Sequence, residues 1–144
     1  MTNNIEQFQG DYRWLSNFAE CEVFMEGVLY PSVENAYQAA KTLNIAKRLA
    51  FENCSAAQAK RLAQTLDIRK DWSSVKKSIM YNLVNQKFHK EPYMSALLST
   101  KQVEIQEGNT WGDTFWGVDL RSGRGQNILG KIIMTIRAEL NGWG

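Results

Sequence analysis

EVFMEGVLYPSVENAYQAAK, residues Glu22–Lys41, sets the fold class. Two short apolar runs, Val23–Met25 and Val28–Tyr30, meet at Glu26-Gly27, where glycine supplies the positive φ that a tight hairpin turn needs. Pro31-Ser32 then opens a long helical pattern, both residues being suited to the first positions of a helix. Val33, Ala36, Tyr37 and Ala40 recur at helical spacing and form its buried stripe.

Upstream, Ile5–Gln9 is a candidate strand. Downstream the pattern stays helical. Ser55-Ala56-Ala57-Gln58 is a capping box, and Ala59, Leu62, Ala63 and Leu66 give the helix behind it an apolar face. A third helix is predicted from about Trp72 to Phe88, with Trp72, Val75, Ile79, Met80, Leu83 and Val84 inward, and Pro92 begins a short fourth. Gln102–Glu107 alternates as a strand does, and Phe115–Leu120 reads as another. A closing helix buries Ile128, Leu129, Ile132, Ile133, Ile136 and Leu140. Strands and helices do not alternate regularly, which argues against a doubly wound sheet. The expected fold is α+β: a single, mostly helical domain over residues 1–144 with a small antiparallel sheet. The length, 144 residues, suits one domain with a sizeable core.

Composition narrows the chemistry. The chain has two Cys, one His and five Trp. Cys21 and Cys54 form no CxxC pattern, and one His with two Cys cannot supply the usual structural or catalytic zinc sites. Any Ser–His–Asp or Cys–His mechanism must run through His89, at the end of the third predicted helix. Catalysis is therefore expected from carboxylates, lysine, amides and bound water, with no metal and no cofactor. The N-terminus has no signal pattern and no apolar run is long enough to span a membrane, so the reading is a soluble, cytoplasmic protein.

The net charge of +2 conceals an asymmetry. Residues 1–38 carry −5, residues 39–90 carry +8 and residues 91–144 carry −1. The basic stretch includes Lys41, Lys60, Lys76 and Lys87. It fits a phosphate or nucleic-acid patch, and equally the solvated faces of consecutive helices.

Four polar clusters stand out. Glu34, Gln38 and Lys41 fall at i, i+4 and i+7, on one helix face. Such a row is either a catalytic edge or an ordinary helix surface. The loop from Glu107 to Gly117 places Asp113 between Trp111 and Trp116, a setting suited to a flat heterocycle on a sugar. The turn from Ser122 to Gly130 could receive an anion through Arg124, Gly125 and the amides opening the last helix, while Asn127 caps that helix or touches ligand. Asn17-Phe18 is a turn or a ligand contact.

Taken together these segments resemble the NADAR/YbiA-like N-glycosidase family. The resemblance rests on Leu15-Ser-Asn-Phe18, Tyr30-Pro-Ser-Val-Glu-Asn-Ala-Tyr-Gln-Ala-Ala-Lys41, Ala59-Lys60, Asp71-Trp72, Met80, Lys87-Phe88, Glu107…Asp113…Trp116-Gly117 and Gly125-Gln-Asn-Ile-Leu-Gly130 with Arg137. It spans almost the whole chain in order. Two positions depart from the family pattern: Asn35 stands where His is frequent, and Thr100-Lys101 where a Thr-Gly turn is common.

The resemblance implies a YbiA-like fold and hydrolysis of a ribose C1–N bond to a guanine-like base. Two substrate types go with it: ADP-ribose on guanine, including guanine in DNA, and ribosylated pyrimidine phosphates of riboflavin synthesis. Bond cleavage builds oxocarbenium-like charge on the ribose, which a carboxylate stabilises or relieves by activating water. Glu34 and Asp113 are the candidate carboxylates. Lys41 either holds phosphate or base electrostatically or attacks C1 to form a Schiff base. Asn17, Phe18, Gln38, Glu107, Trp111, Trp116, Arg124, Gly125 and Asn127 are the expected substrate contacts. The rival reading is a non-catalytic module that binds ADP-ribose or nucleic acid.

Overall fold

The computed structural model describes residues 4–142. Its contacts divide the chain into two compact units: a central unit, residues 17–87, and a terminal unit built from the residues before and after it.

The central unit begins with the expected hairpin. Strand β1 (Glu20–Met25) pairs antiparallel with β2 (Val28–Ser32), Val23 opposite Tyr30 and Met25 opposite Val28. Glu26 and Gly27 both have positive φ, 51° and 81°, the turn type whose twist matches two right-twisted strands. Cys21, Val23 and Met25 point inward while Glu20, Glu22 and Phe24 face out.

The chain passes from β2 directly into helix α1 (Val33–Ala39). The Ser32 hydroxyl caps it by accepting from the Asn35 amide at 3.0 Å. Every residue of α1 is buried, polar ones included. The helix is shorter than its sequence pattern predicts. The Thr42 hydroxyl accepts from the Asn44 amide at 3.1 Å, and the Asn44 side chain accepts from Lys47 N–H to start the short helix α2 (Ile45–Arg48). These local side-chain bonds compete with continuation of the helix. Lys41 therefore lies in a turn just beyond α1. Its carbonyl accepts from Arg69 N–H at 2.8 Å, which satisfies part of the open helix end.

Helix α3 (Ala56–Leu62) has the predicted capping box, with both reciprocal bonds present between Ser55 and Gln58. Helix α4 spans Trp72–Phe88, as the periodicity predicts. Met80, Leu83 and Val84 are fully inside, whereas Trp72, Val75 and Ile79 are half-buried. The same inner face carries Lys87, which is 0% exposed and which an apolar stripe does not reveal.

In the terminal unit, Trp14 meets Phe88 edge-on at 6.4 Å, as does Tyr93, the first residue of α5 (Tyr93–Ser99). The strands expected at Ile5–Gln9 and Gln102–Glu107 reduce to a single parallel bridge, Ile5 with Ile105. The expected Phe115–Leu120 strand contributes only β4 (Val118–Asp119), which pairs with β3 (Gly108–Asn109) in parallel. Side chains supply much of the bonding here in place of a ladder: Asn109 bonds the backbone N–H and C=O of Asp113, and Asn127 bonds Ile105 C=O and Glu107 N–H. Helix α6 (Ile128–Leu140) closes the chain, with Leu129, Ile133 and Ile136 buried. The fold class is the expected one, mostly helical with a small antiparallel sheet. Among the described residues, no helix is long and apolar enough to cross a membrane.

Candidate functional site

The row Glu34, Gln38 and Lys41 is not a solvated surface. Glu34 is 7% exposed and Gln38 5%. The Gln38 amide donates from Nε2 to Glu34 Oε2 at 2.7 Å, across one helical turn. Its Oε1 is buried and accepts no hydrogen bond among the described residues. A buried acceptor in that condition costs free energy and suits a ligand that brings a donor.

Asn17 is held at the N-terminal end of α1, with Phe18 next to it in sequence. The Asn17 carbonyl accepts from Glu34 N–H at 3.1 Å, and the Asn17 amide reaches Met80 Sδ at 3.5 Å. Lys41 is half-buried, with Nζ 5.5 Å from the centre of the Tyr37 ring. That ring packs against Trp72 at 5.1 Å. Burial holds the Lys41 amine below the ordinary lysine range. Glu34 pulls it back up, and Lys60 and Lys76 push it further down. One region of the central unit thus holds an interior carboxylate, an oriented amide and a half-buried amine whose pKa burial lowers.

Sequence reasoning assigned no site role to three members of this neighbourhood. Lys60 Nζ lies 6.0 Å over the Phe18 ring, and Lys76 acts on Lys41 from α4. Lys76 had only its membership in the basic stretch and Lys60 the Ala59-Lys60 motif besides, and 41, 60 and 76 follow no local period that would join them. Asn35, which the sequence reading singled out as a departure from the family pattern, is 0% exposed and structural. It donates to the carbonyls of Phe51 and Cys54 at 2.9 Å each and accepts from the Ser32 hydroxyl at 2.5 Å.

The remaining candidates belong to the terminal unit. Asp113 Oδ1 accepts from the amides of Phe115 and Trp116 at 3.1 and 2.9 Å, so this carboxylate oxygen shapes the aromatic loop. Glu107 Oε2 accepts from Asn109 Nδ2 at 3.0 Å. Trp111 is 57% exposed, while Trp116 is half-buried with Phe115 edge-on at 4.8 Å. Asn127 does not cap α6 through its side chain, because both ends of its amide are bonded to the 105–107 backbone. A Cβ on Gly125 would lie 2.2 Å from Gly117 O, so this glycine permits a backbone-to-backbone approach. Arg124 is exposed, as is His89.

The family model for the NADAR domain matches residues 5–141, nearly the whole chain. The chain belongs to the NADAR family. Among its NADAR relatives, the N-glycosidase YbiA of Escherichia coli (strain K12) is 32% identical over 141 residues, covering 95% of this chain and 87% of YbiA. A riboflavin biosynthesis protein of Vibrio vulnificus (strain YJ016) is 36% identical over 136 residues. That match takes in 90% of this chain but only 36% of the longer Vibrio protein. The NMR structure of E. coli YbiA superposes with a TM-score of 0.84 at 30% identity, covering 98% of this NADAR chain and 87% of YbiA.

Proposed function

We propose that this NADAR protein hydrolyses the bond between ribose C1 and the nitrogen of a guanine-like base, with Glu34 and Lys41 as the reacting groups. It is a hydrolase acting on N-glycosyl bonds, the activity that its YbiA relatives carry in their names. The observation that carries the assignment of residues is the buried Glu34–Gln38 pair, whose carboxylate acts electrostatically on the half-buried Lys41 amine. Buried carboxylates and amines with displaced pKa values gather at active sites, which supports the enzymatic reading over a binding-only module.

The charge developing at C1 decides the role of Lys41. An ammonium beside a forming oxocarbenium opposes it, whereas a neutral amine tolerates it and attacks it. In the proposed sequence Lys41 Nζ bonds to C1 as the C1–N bond breaks. The bonding electrons leave with the base, and Glu34 carries the proton from Nζ to the base nitrogen. The ribose ring then opens as the amine proton moves to the ring oxygen, leaving an imine. Water adds to C1 and regenerates the lysine, so the balance is substrate plus water giving free base plus free sugar. Gln38 orients Glu34 and offers its Oε1 to a ribose hydroxyl or a base N–H. Asn17 borders the N-terminal end of α1, with Phe18 next to it in sequence. In the terminal unit, Asp113, Asn127 and Gly125 hold the aromatic loop in shape.

The substrate we favour is a ribosylated pyrimidine phosphate of riboflavin synthesis, in line with the name of the Vibrio relative, and the working compartment proposed is the cytoplasm. Removal of ADP-ribose from guanine, including guanine in DNA, is the second reading, favoured by the +8 charge of residues 39–90. Parallel base-release assays on the two substrates test the choice. Faster release from the pyrimidine phosphate supports the first reading, and release only from ADP-ribosylated guanine DNA replaces it with the second.

A further inference from the structure

The bond to Glu34 uses only one end of the Gln38 amide. A carboxylate oxygen accepts hydrogen bonds and donates none, so the amide nitrogen faces Glu34 Oε2 at 2.7 Å and Oε1 is turned away from it. Rotating the amide by half a turn would set oxygen against oxygen. Gln38 is 5% exposed, on a helix whose residues are all buried, so packing holds the amide in this sense. Oε1 is therefore a fixed acceptor, buried and without a donor among the described residues. It belongs to the residue one helical turn after Glu34.

An N-riboside has two kinds of donor for such an acceptor, and they behave oppositely during the reaction. As the C1–N bond breaks, the base takes up the bonding electrons and its N–H groups become poorer donors. A bond from them to Oε1 weakens in the transition state and so opposes cleavage. The ribose 2-hydroxyl lies on the carbon next to C1. Positive charge building at C1 makes its O–H a better donor, and a hydrogen bond accepted from it returns electron density toward C1. That bond strengthens as the barrier is climbed, which is the only kind of interaction that accelerates the step.

We propose that Gln38 Oε1 accepts from the ribose 2-hydroxyl in the transition state and so selects ribosyl over 2-deoxyribosyl bonds. This deepens the N-glycosidase reading and rests on it for the place of Glu34 at C1. On the second reading of the substrate, the selection separates two bonds on one base. A guanine carrying ADP-ribose in DNA is joined to the ribose of the modification and to the strand's own 2-deoxyribose. Only the first sugar has the 2-hydroxyl, so cleavage removes the modification and spares the strand.

The test is calorimetric titration with iminoribitol, a cation shaped like the oxocarbenium-like ribose, and with its 2-deoxy counterpart. The proteins are the wild type, Gln38→Met and Gln38→Leu, each checked for folding by its melting curve. The wild type is expected to bind iminoribitol about tenfold or more tighter than the 2-deoxy form, and the variants to lose that preference. Equal binding of the two by the wild type, binding of neither, or an undiminished preference in a folded variant overturns the proposal. Turnover of the ribosylated pyrimidine phosphate and its 2-deoxyribosyl analogue adds a readout that a merely positional role does not move. Losing the bond that orients Glu34 slows both substrates alike, whereas losing the acceptor lowers the ratio of their kcat/KM values. The greater intrinsic lability of 2-deoxyribosides cancels when that ratio is compared between proteins, and an unchanged ratio overturns the proposal. If binding behaves as expected but no base is released from either substrate, the Gln38 contact holds and the N-glycosidase reading fails.

Discussion

Gln38 donates a 2.7 Å hydrogen bond to Glu34 from within a helix whose residues are all buried. The pair is placed by three adjoining features. The hairpin delivers the chain into α1, the Ser32 cap fixes where the helix starts, and Thr42 and Asn44 fix where it stops. Lys41 follows in a turn just outside the helix, within the electrostatic reach of Glu34.

If Lys41 attacks C1, the imine can be trapped. Reduction with borohydride during turnover is expected to leave a mass adduct of the ribose phosphate on Lys41, located by peptide mapping, and none in Lys41→Met. Full turnover with no adduct assigns the attack to water activated by Glu34 instead.

Lys41 acts as a neutral amine in this account, so activity rises with pH through its pKa, which burial places below the usual lysine value of 10.5. The ammonium of Lys76 pushes that pKa down further, so Lys76→Gln is expected to move the ascending limb of the kcat profile to higher pH. A limb at unchanged pH in this variant, measured at low ionic strength, contradicts the coupling.

Lys87 has a second pH signature, in stability. Burial lowers its folded-state pKa to about 7, from 10.5. Between those values the unfolded chain binds more protons than the folded one, so stability rises with pH and is lost as pH falls toward 7. The slope from this group is at most about 1.4 kcal/mol per pH unit. Urea titrations from pH 7 to 10 are expected to show that rise in the wild type and a flatter profile in Lys87→Met. Parallel profiles remove Lys87 as its source.

Lys101 occupies the left-handed region, φ 56°, just after α5. A side chain there is strained, and glycine relieves the strain while adding some unfolded-state entropy. Lys101→Gly is expected to stabilise the protein by about 0.5–1 kcal/mol, read from the denaturation midpoint. A lower midpoint contradicts this.

Local signals were legible before the fold was seen. The Glu26-Gly27 turn, the Ser55 capping box and the full extent of α4 follow from bonding and periodicity within a few residues of one another. The Glu34–Gln38 pairing was legible as spacing, but its burial was not, because helix α1 is enclosed by elements distant in sequence. The short strands around residues 105 and 118 were over-extended by their alternation. Asn109, Asp113 and Asn127 satisfy backbone groups there with side chains, which no hydrophobic period records. The electrostatic effect of Lys60 and Lys76 on Lys41 was not legible for a similar reason: it depends on the fold and follows no local period. The amide at Asn35 became interpretable once its partners, Phe51 and Cys54, were seen to be backbone carbonyls across the unit.

The most direct test of the central claim is the rate of base release from the ribosylated pyrimidine phosphate by wild type and by Glu34→Gln. A Gln at this position keeps the shape and a hydrogen bond to Gln38 but cannot carry a proton. The account predicts that kcat falls by about 10²–10⁴ while the melting curve and ribose 5-phosphate binding stay near wild type. A folded Glu34→Gln variant that releases base at the wild-type rate contradicts it.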